Sequence, residues 1–262
     1  MTTPETPYVL REDHDGIATI TLNRGDQFNP LSAGMIIALT DTLNALAHDK
    51  SVRVVVLAAH GRGFCAGHDL KEMRAHAKDE QWLTTLFNTC SEMMLKLTQL
   101  PQPVIARVHG IATAAGCQLT SMCDLAVAAD TATFALPGVN IGLFCSTPAV
   151  GVARNIGRKR AMEMLLTGEM VDAKTALEWG LVNRVVPLDH LDAEVHRLAD
   201  LIRSKSAAVI ALGKKNFYQQ IEMGLSGAYS VSGQTMTCNT MMGDAVEGID
   251  AFLGKRAPNW KH

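Results

Sequence analysis

The order of apolar and polar positions predicts strands and a helix at the start of the chain. Residues 8–11 and 17–22 have the composition of two strands, with the turn residues DHDG between them. The segment NPLS then precedes a series of apolar positions that repeat with a helical period until about His48. This pattern predicts a strand pair followed by a capped, amphipathic helix.

Two continuous apolar runs, 52–58 and 104–108, have the length of strands that are buried on both faces. Each run leads into a turn rich in glycine and alanine and then into a helix. The other predicted elements are a polar helix over 71–80, a long helix ending near Leu100, short strands over 125–128 and 133–136, and a late strand over 181–186 in a region that is helical from about Thr147. We therefore expect an α/β fold in which repeating β-β-α units, residues 1–200, precede a helical C-terminal region, residues 201–262.

The composition is that of a globular protein. Hydrophobic residues make up 47% and charged residues 19% of the 262 residues, and the net charge is −2. A balance so close to neutral gives no sign of a nucleic-acid partner, and no apolar run approaches the roughly 20 residues that cross a bilayer. The start MTTPETPYVLREDHDG resembles neither a secretory signal nor a transit peptide. We expect a cytoplasmic protein without nucleic-acid or membrane partners.

The six cysteines lie mostly in apolar segments and form no CxxC pair. Cysteines in this setting are typical of reduced thiols packed in a core. We therefore expect neither a disulfide framework nor a metal site.

The stretch FCAGHDLKEM, residues 64–73, follows the first buried run and carries candidate chemistry. Gly61, Gly63 and Gly67 lie in or just before it, and Asp69 begins a helix. Such a turn presents backbone amides, rather than side chains, to a ligand. The glycines also match a GxGxxA dinucleotide motif, but the helix begins only after Asp69, which argues against that alternative. In a third interpretation, the small residues only allow a helix to pack closely on a strand.

This stretch and a second one, GIATAAGCQLTSMCD, resemble the crotonase, or enoyl-CoA hydratase/isomerase, superfamily. Further similar segments are ITLNR with NPLS, LLTGEMVDAKTALEWGLVNRVVP and AFLGKRAPNW, so the resemblance covers nearly the whole chain. AGHDLKEM and NIGLFCSTPAVGVAR look most like a mitochondrial enoyl-CoA hydratase domain-containing subgroup and its bacterial relatives. The resemblance implies the crotonase (ClpP-like) spiral of β-β-α units, a C-terminal helical trimerisation region, and a trimer that often pairs into a hexamer.

The resemblance also implies the ligand, an acyl-CoA thioester. Coenzyme A enters as part of the substrate, and no cofactor is covalently bound. The backbone amides of His68 and Ala115 would donate to the thioester oxygen as it becomes an enolate, and each donor contributes about 3 kcal/mol of transition-state stabilisation. The residues expected near the CoA moiety are Ala66, Asp69, Leu70, Lys71, Arg24 and Lys255. For the three cations, a solvated surface position is the alternative, and for Asp69 it is a helix cap.

The chain departs from the resemblance at two positions. A hydratase of this superfamily uses two glutamates, and this sequence has Gln118 and Gly138 at the matching places. A glutamine can orient water but cannot take up a proton at neutral pH. Since each general acid or base contributes about 10²–10⁴-fold, the loss of both makes efficient hydration doubtful. Restoring both glutamates is expected to raise hydration if the geometry is intact.

Cys145, in the segment FCSTP, is a candidate nucleophile. It lies near the place where a dehalogenase branch of the superfamily carries a nucleophilic aspartate, and a cysteine thiolate there could be acylated or alkylated. A packed, apolar cysteine beside Phe144 is the alternative.

Three functions remain open at this stage. The first is an enoyl-CoA hydratase-like lyase of fatty acid metabolism that stabilises an enolate and uses an unusual proton donor. The second is decarboxylation of a malonyl- or methylmalonyl-type CoA, in which loss of CO₂ creates the enolate without a base. The third is a CoA-thioester binding protein without catalysis.

Overall fold

The computed structural model describes residues 6–261. In this range, strands form two sheets and α-helices surround them. The strands are β1 (Val9–His14), β2 (Ile17–Leu22), β3 (Val54–Ala59), β4 (Gly63–Cys65), β5 (Val104–Val108), β6 (Ile111–Thr113), β7 (Leu125–Ala129), β8 (Thr133–Ala135), β9 (Val171–Asp172) and β10 (Arg184–Val186). The helices are α1 (Ala33–His48), α2 (Leu70–Ala75), α3 (Glu80–Gln99), α4 (Ala115–Met122), α5 (Ser146–Asn155), α6 (Arg158–Thr167), α7 (Ala173–Trp179), α8 (Leu191–Arg203), α9 (Ala207–Gln220), α10 (Leu225–Thr240) and α11 (Gly243–Leu253).

From β3 to β8, successive strands alternate between the two sheets. One sheet has the order β1-β2-β3-β5-β7-β10 and the other the order β4-β6-β8-β9. Strands β3, β5 and β7 pair in parallel in the first sheet, and β4, β6 and β8 pair in parallel in the second. Each pass of the chain therefore adds one strand to each sheet and a connection between passes, which is a spiral of β-β-α units. The expected α/β crotonase architecture is confirmed.

Strand β3 and helix α1 form as their apolar patterns and the helix cap predict. Every residue of β3 is buried, as expected for a strand covered on both faces. The Ser32 hydroxyl accepts a hydrogen bond from the Met35 amide and caps α1, whose helically spaced apolar positions are buried. Strand β3 and helix α1 both contribute side chains to one large hydrophobic core cluster.

Three short strands, β4, β6 and β9, are absent from the prediction. Each has two or three residues, too few for a period to be recognised. The predicted late strand is also shorter than expected, since it begins at Arg184 instead of Leu181. Leu181 and Val182 are buried in the main core after the left-handed Gly180 ends α7, so their apolar character reflects loop packing.

Helix α8 covers the outer face of the larger sheet. Its buried residues Leu191, Val195 and Ala199 share a second core cluster with residues of β2, β3, β5 and β7. The expected boundary at residue 200 falls inside this helix, which packs with the core.

A buried ion pair ties α9 to the core. The Lys214 ammonium donates to the Asp124 carboxylate at 2.6 Å and to the carbonyls of Leu97 and Gln102, both at 2.9 Å. The Tyr218 hydroxyl donates to the other Asp124 oxygen at 2.9 Å. Burial lowers the pKa of Lys214, although the carboxylate of Asp124 opposes that shift. Asp124 therefore has a structural role.

No helix in the described part of the chain combines the length and the apolar character needed to cross a membrane.

Candidate active site

The first glycine turn packs directly against the second. Gly67 has φ +99°, a conformation that side chains disfavour, and a Cβ added to it would lie 2.9 Å from the Ala114 Cβ. A Cβ added at Gly116 would lie only 2.0 Å from the Cys65 carbonyl oxygen. The Thr113 hydroxyl also donates to the Ala66 carbonyl at 3.1 Å. Glycines at these positions let two passes of the spiral approach within contact distance.

This packing brings the amides of His68 and Ala115 to one region. A Cβ on Gly67, the residue before His68, would be 3.4 Å from the Ala115 nitrogen. Ala115 is the first residue of α4, so its N–H has no acceptor inside the helix. Ala114 before it has φ 49° and ψ −118°, an unusual conformation for alanine that turns the chain into the helix. In residues 6–261, neither amide donates to a turn, loop or capping carbonyl.

A cavity of about 940 Å³ lies over these two turns. The walls come from the first turn, the start of α4, helix α3 and the segment 137–148. The expected site residues found in its lining are Ala66, His68, Asp69, Leu70, Lys71, Ala115 and Cys145, and Gly138 lies there too. Residues separated by up to about eighty positions in the sequence thus share one site.

Three expected site residues lie outside that lining. The Arg24 guanidinium donates to the carbonyls of Thr6 and Pro7 and stacks over the Tyr8 ring at 3.9 Å, which is a structural role. Lys255 is exposed in the turn after α11. Gln118, the fourth residue of α4, is buried.

The His68 side chain forms part of the cavity wall as a neutral imidazole. Burial lowers the pKa of His68 to about 4, so the ring is uncharged at neutral pH. The ring lies 5.4 Å from the Phe87 ring, and its Nε2 atom is buried without a hydrogen-bond partner.

Asp69 acts as a helix cap. Its carboxylate accepts hydrogen bonds from the amides of Lys71 and Glu72, at 2.9 and 3.1 Å, and so begins α2. The carboxylate is therefore engaged by the backbone, while Asp69 still contributes to the cavity wall.

Gly138 and Cys145 close one side of the cavity. A Cβ added at Gly138 would lie 2.9 Å from the Leu143 carbonyl oxygen and 3.0 Å from the Cys145 Sγ. Burial raises the pKa of the Cys145 thiol, and a hydrogen bond with the Gly138 backbone partly offsets the rise. A glutamate at 138 has no space unless this wall moves, so restoring that residue would not by itself recreate a hydratase site.

Several apolar wall residues were not predicted from the sequence. Met73, Phe87, Leu143, Phe144 and Pro148 line the cavity. Met73 lies within the FCAGHDLKEM stretch and two others flank Cys145, so proximity in sequence could have indicated them. Phe87 is on α3, and no local signal connects that helix with the glycine turns.

The structure rules out the dinucleotide alternative. Gly61 has φ +83°, and a Cβ there would lie 2.5 Å from the Gly25 Cα, so this glycine serves a contact between two loops. The helix begins at Leu70, well after the glycine run. Within residues 6–261, no group of three or more His, Cys, Asp or Glu side chains is placed to hold a metal ion.

Comparisons with known proteins agree with this architecture. A family model described as enoyl-CoA hydratase/isomerase matches residues 12–262. The mitochondrial enoyl-CoA hydratase domain-containing protein 3 of Rattus norvegicus is 46% identical over 248 residues, which are 95% of this chain and 82% of that protein.

Two solved structures are similar over nearly their whole length. An enoyl-CoA hydratase of Mycobacterium smegmatis has a TM-score of 0.96 and 53% identity, covering 98% of this chain and 100% of that one. The human enoyl-CoA hydratase domain-containing protein 3 has a TM-score of 0.93 and 43% identity, covering 97% and 100%.

These relatives also correct the expected location. The rat, mouse, frog and human proteins that match this chain are named as mitochondrial, which makes the cytoplasmic expectation wrong. The polar, acidic composition of the first residues was too weak a basis for that expectation. On the family model, the identities and the shared fold, the chain belongs to the enoyl-CoA hydratase/isomerase family.

Proposed function

We propose that this protein binds an acyl-CoA thioester and stabilises its enolate with the backbone amides of His68 and Ala115. The observation that carries the proposal is the contact between the two glycine turns, which leaves two unpaired N–H groups at one cavity wall. An enolate places negative charge on the thioester oxygen, and preorganised amides stabilise that charge without reorganising.

The remaining contacts follow from the lining of the cavity. Lys71 supplies a cation for the phosphates of CoA, while Ala66 and Leu70 border the same entrance. The apolar walls formed by Phe87, Leu143 and Phe144 suit the acyl group. Arg24 is left out of this proposal, because its guanidinium is already engaged.

The site has few side chains that are suited to transfer a proton to or from the acyl group. The titratable side chains in the described lining are Asp26, His68, Asp69, Lys71 and Cys145. The Asp69 carboxylate caps a helix, burial makes His68 a weak base, and burial keeps the Cys145 thiol protonated. We therefore expect crotonyl-CoA hydration well below the ~1–10³ s⁻¹ of typical enzymes.

The same observation supports a second candidate, the decarboxylation of a malonyl- or methylmalonyl-type CoA. Loss of CO₂ leaves its electron pair on the α-carbon and forms the enolate without a base. Release of CO₂ from malonyl-CoA or methylmalonyl-CoA would distinguish this reaction from binding without turnover.

Acetoacetyl-CoA tests the enolate directly, because it ionises without help from a protein base and its enolate absorbs in the near ultraviolet. Binding should increase the enolate band at a pH where free acetoacetyl-CoA is mostly un-ionised. An Ala115→Pro variant removes one N–H at a helix position that tolerates proline, and the enolate fraction should fall tenfold or more. An Ala115→Ser variant keeps the amide and should keep the band.

The outcomes separate the parts of the proposal. Absence of any CoA-ester binding would reject it entirely. Binding without a gain in the enolate band would reject the enolate-stabilising role and leave a binding protein.

A further inference from the structure

The peptide group between Gly67 and His68 is oriented by a neighbouring segment, residues 31–33. The Leu31 amide donates to the Gly67 carbonyl at 2.8 Å, and Leu31 forms a parallel bridge with His68. This peptide group is trans, so its carbonyl and its N–H point in opposite directions. Because the carbonyl faces Leu31, the His68 N–H points away from that residue and stays available to a ligand.

The two proposed amide donors differ in how they are held. The Ala115 N–H belongs to the peptide group whose carbonyl, that of Ala114, accepts a hydrogen bond from the Gln118 amide at 3.1 Å. Helix α4 therefore orients that donor by itself. The His68 donor precedes α2, and its peptide group depends on Leu31, which is distant in the sequence.

A side chain of α2 makes a second contact with the same segment. The Glu72 Oε2 atom accepts a hydrogen bond from the Ala33 amide at 2.9 Å. Ala33 is the first residue of α1, so its N–H has no acceptor inside that helix, and a carboxylate is favoured at a helix N-terminus. The two segments are therefore joined at both ends, by a backbone hydrogen bond at Leu31 and by the carboxylate of Glu72.

Helix α2 depends on such contacts for its position. It has six residues, and none of them is buried. A helix of this length is not stable by itself. The ring of His76, at its C-terminal end, stacks on the Trp82 ring of α3 with 4.0 Å between the centroids. The residues of this helix that line the cavity are Leu70, Lys71 and Met73.

We propose that Glu72 is a positioning residue for the His68 amide. By accepting the Ala33 N–H, it keeps segment 31–33 beside the first glycine turn, so that the Leu31 hydrogen bond and the direction of the His68 N–H are maintained. Glu72 acts through the main chain, since it lies outside the cavity lining. This inference rests on the proposed function, because it assumes that the His68 amide stabilises an enolate.

The test measures the enolate band of acetoacetyl-CoA with the protein in saturating excess, so that the result does not depend on affinity. Glu72→Met removes the carboxylate acceptor at nearly constant size. It should lower the ratio of enolate to keto form about 3–10-fold, the ratio that corresponds to one hydrogen bond. Glu72→Gln retains an oxygen that can accept the Ala33 N–H and should retain the wild-type ratio.

Ala33→Pro removes the donor instead of the acceptor. Proline is tolerated at the first position of a helix, and Ser32 before it has ψ 165°, an extended conformation that suits the residue before a proline. This variant should lower the ratio as much as Glu72→Met. The double variant should lower it no further, because both changes remove the same hydrogen bond.

Glu92 provides a matched control, since it is an exposed glutamate on α3, the helix that carries the wall residue Phe87. Glu92→Met should leave the ratio of enolate to keto form unchanged. Thermal denaturation verifies that each variant is folded.

Each outcome decides one question. A wild-type ratio in Glu72→Met overturns the role of Glu72 while the proposed function stands. A fall in Glu72→Gln as large as that in Glu72→Met also overturns it, as does a double variant whose loss is the product of the two single losses. Absence of a gain in the enolate band with the wild-type protein rejects the proposed function itself.

Discussion

Gly138 shows how a single residue restricts what the site can become. A Cβ at this position would come within 3.0 Å of both the Leu143 carbonyl and the Cys145 Sγ, two groups that belong to the same wall. Side-chain atoms that enter such a contact displace their neighbours and destabilise the fold. The packing of this wall therefore leaves no room for a carboxylate side chain at position 138.

Gly138→Ala should lower the free energy of unfolding by about 1–3 kcal/mol, because the added methyl group overpacks the wall. Gly213 is the control: it is exposed in α9, and an added Cβ there would meet nothing within 4 Å. Gly213→Ala should leave stability unchanged or raise it by about 0.5–1 kcal/mol. Urea denaturation measures both variants, and equal stability of Gly138→Ala and the wild type would contradict the steric argument.

His68 should make stability depend on pH in the acidic range. Its pKa is about 4 in the folded protein and near 6.5 when unfolded, because burial disfavours the charged ring. The unfolded chain therefore binds more protons between these values, and stability should fall as the pH drops from about 6.5 to 4, with no effect above that window. His109, whose pKa burial also lowers, contributes in the same direction.

His68→Leu should reduce that loss of stability by about 2–3 kcal/mol over the window, as measured by urea denaturation at a series of pH values. His14, with a side chain that is 89% exposed, is the control, and His14→Gln should keep the wild-type pH dependence. An unchanged pH profile for His68→Leu would show that this ring is not held neutral by burial.

At the scale of elements, the attachment of α9 depends on one buried ion pair. The Lys214 and Asp124 side chains are 7% and 16% exposed and lie 2.6 Å apart. Removal of one member leaves the other charge buried without its partner, which typically costs 3–5 kcal/mol.

Lys214→Met should therefore destabilise the protein by about 3–5 kcal/mol, and Tyr218→Phe, which removes one hydrogen bond to the same carboxylate, by about 1 kcal/mol. Lys215, the exposed neighbour on the same helix, provides the control variant Lys215→Met. Thermal and urea denaturation report the three values. Similar stabilities for the two lysine variants would contradict a role of the ion pair in holding α9.

The sequence predicted elements and site residues whose signal is local. Strand β5 over 104–108 and the cap at Ser32 could be identified, because burial on both faces and capping leave marks within a few residues. The two glycine turns were identified for a similar reason. The prediction failed for β4, which is too short to show a period.

Residues of the site were harder to predict when their position depends on contacts between segments that are far apart in the sequence. Phe87 lines the cavity from α3. Arg24 lies outside the lining, because its guanidinium donates to the carbonyls of Thr6 and Pro7 and stacks on the Tyr8 ring. These outcomes follow from how the passes of the spiral stack, which no short segment encodes.

At the scale of the whole molecule, the C-terminal helical region leaves large apolar side chains in water. The most exposed are Leu225, Tyr229, Met241, Phe252 and Leu253, each more than 70% exposed. Apolar surface of this extent is typical of an interface between subunits.

We expect the protein to form trimers or hexamers through this region, as measured by size-exclusion chromatography with light scattering. Phe252→Asp should shift the population towards monomers, because a charge would be buried in the contact. Leu188→Asp changes a similarly apolar, half-exposed residue outside the C-terminal region and should leave the assembly intact. A wild-type monomer at micromolar concentration would contradict the expectation.

The close approach of Gly116 to the Cys65 carbonyl has a consequence for divergence within the family. The two amides proposed to hold the thioester oxygen belong to the main chain, so their placement depends on glycines that let two passes of the spiral touch. A side chain close to these amides, such as that of Gln118, can then be exchanged without moving the main chain that carries them. We therefore expect a lineage built on this scaffold to change its reaction more readily than the class of ligand that it holds.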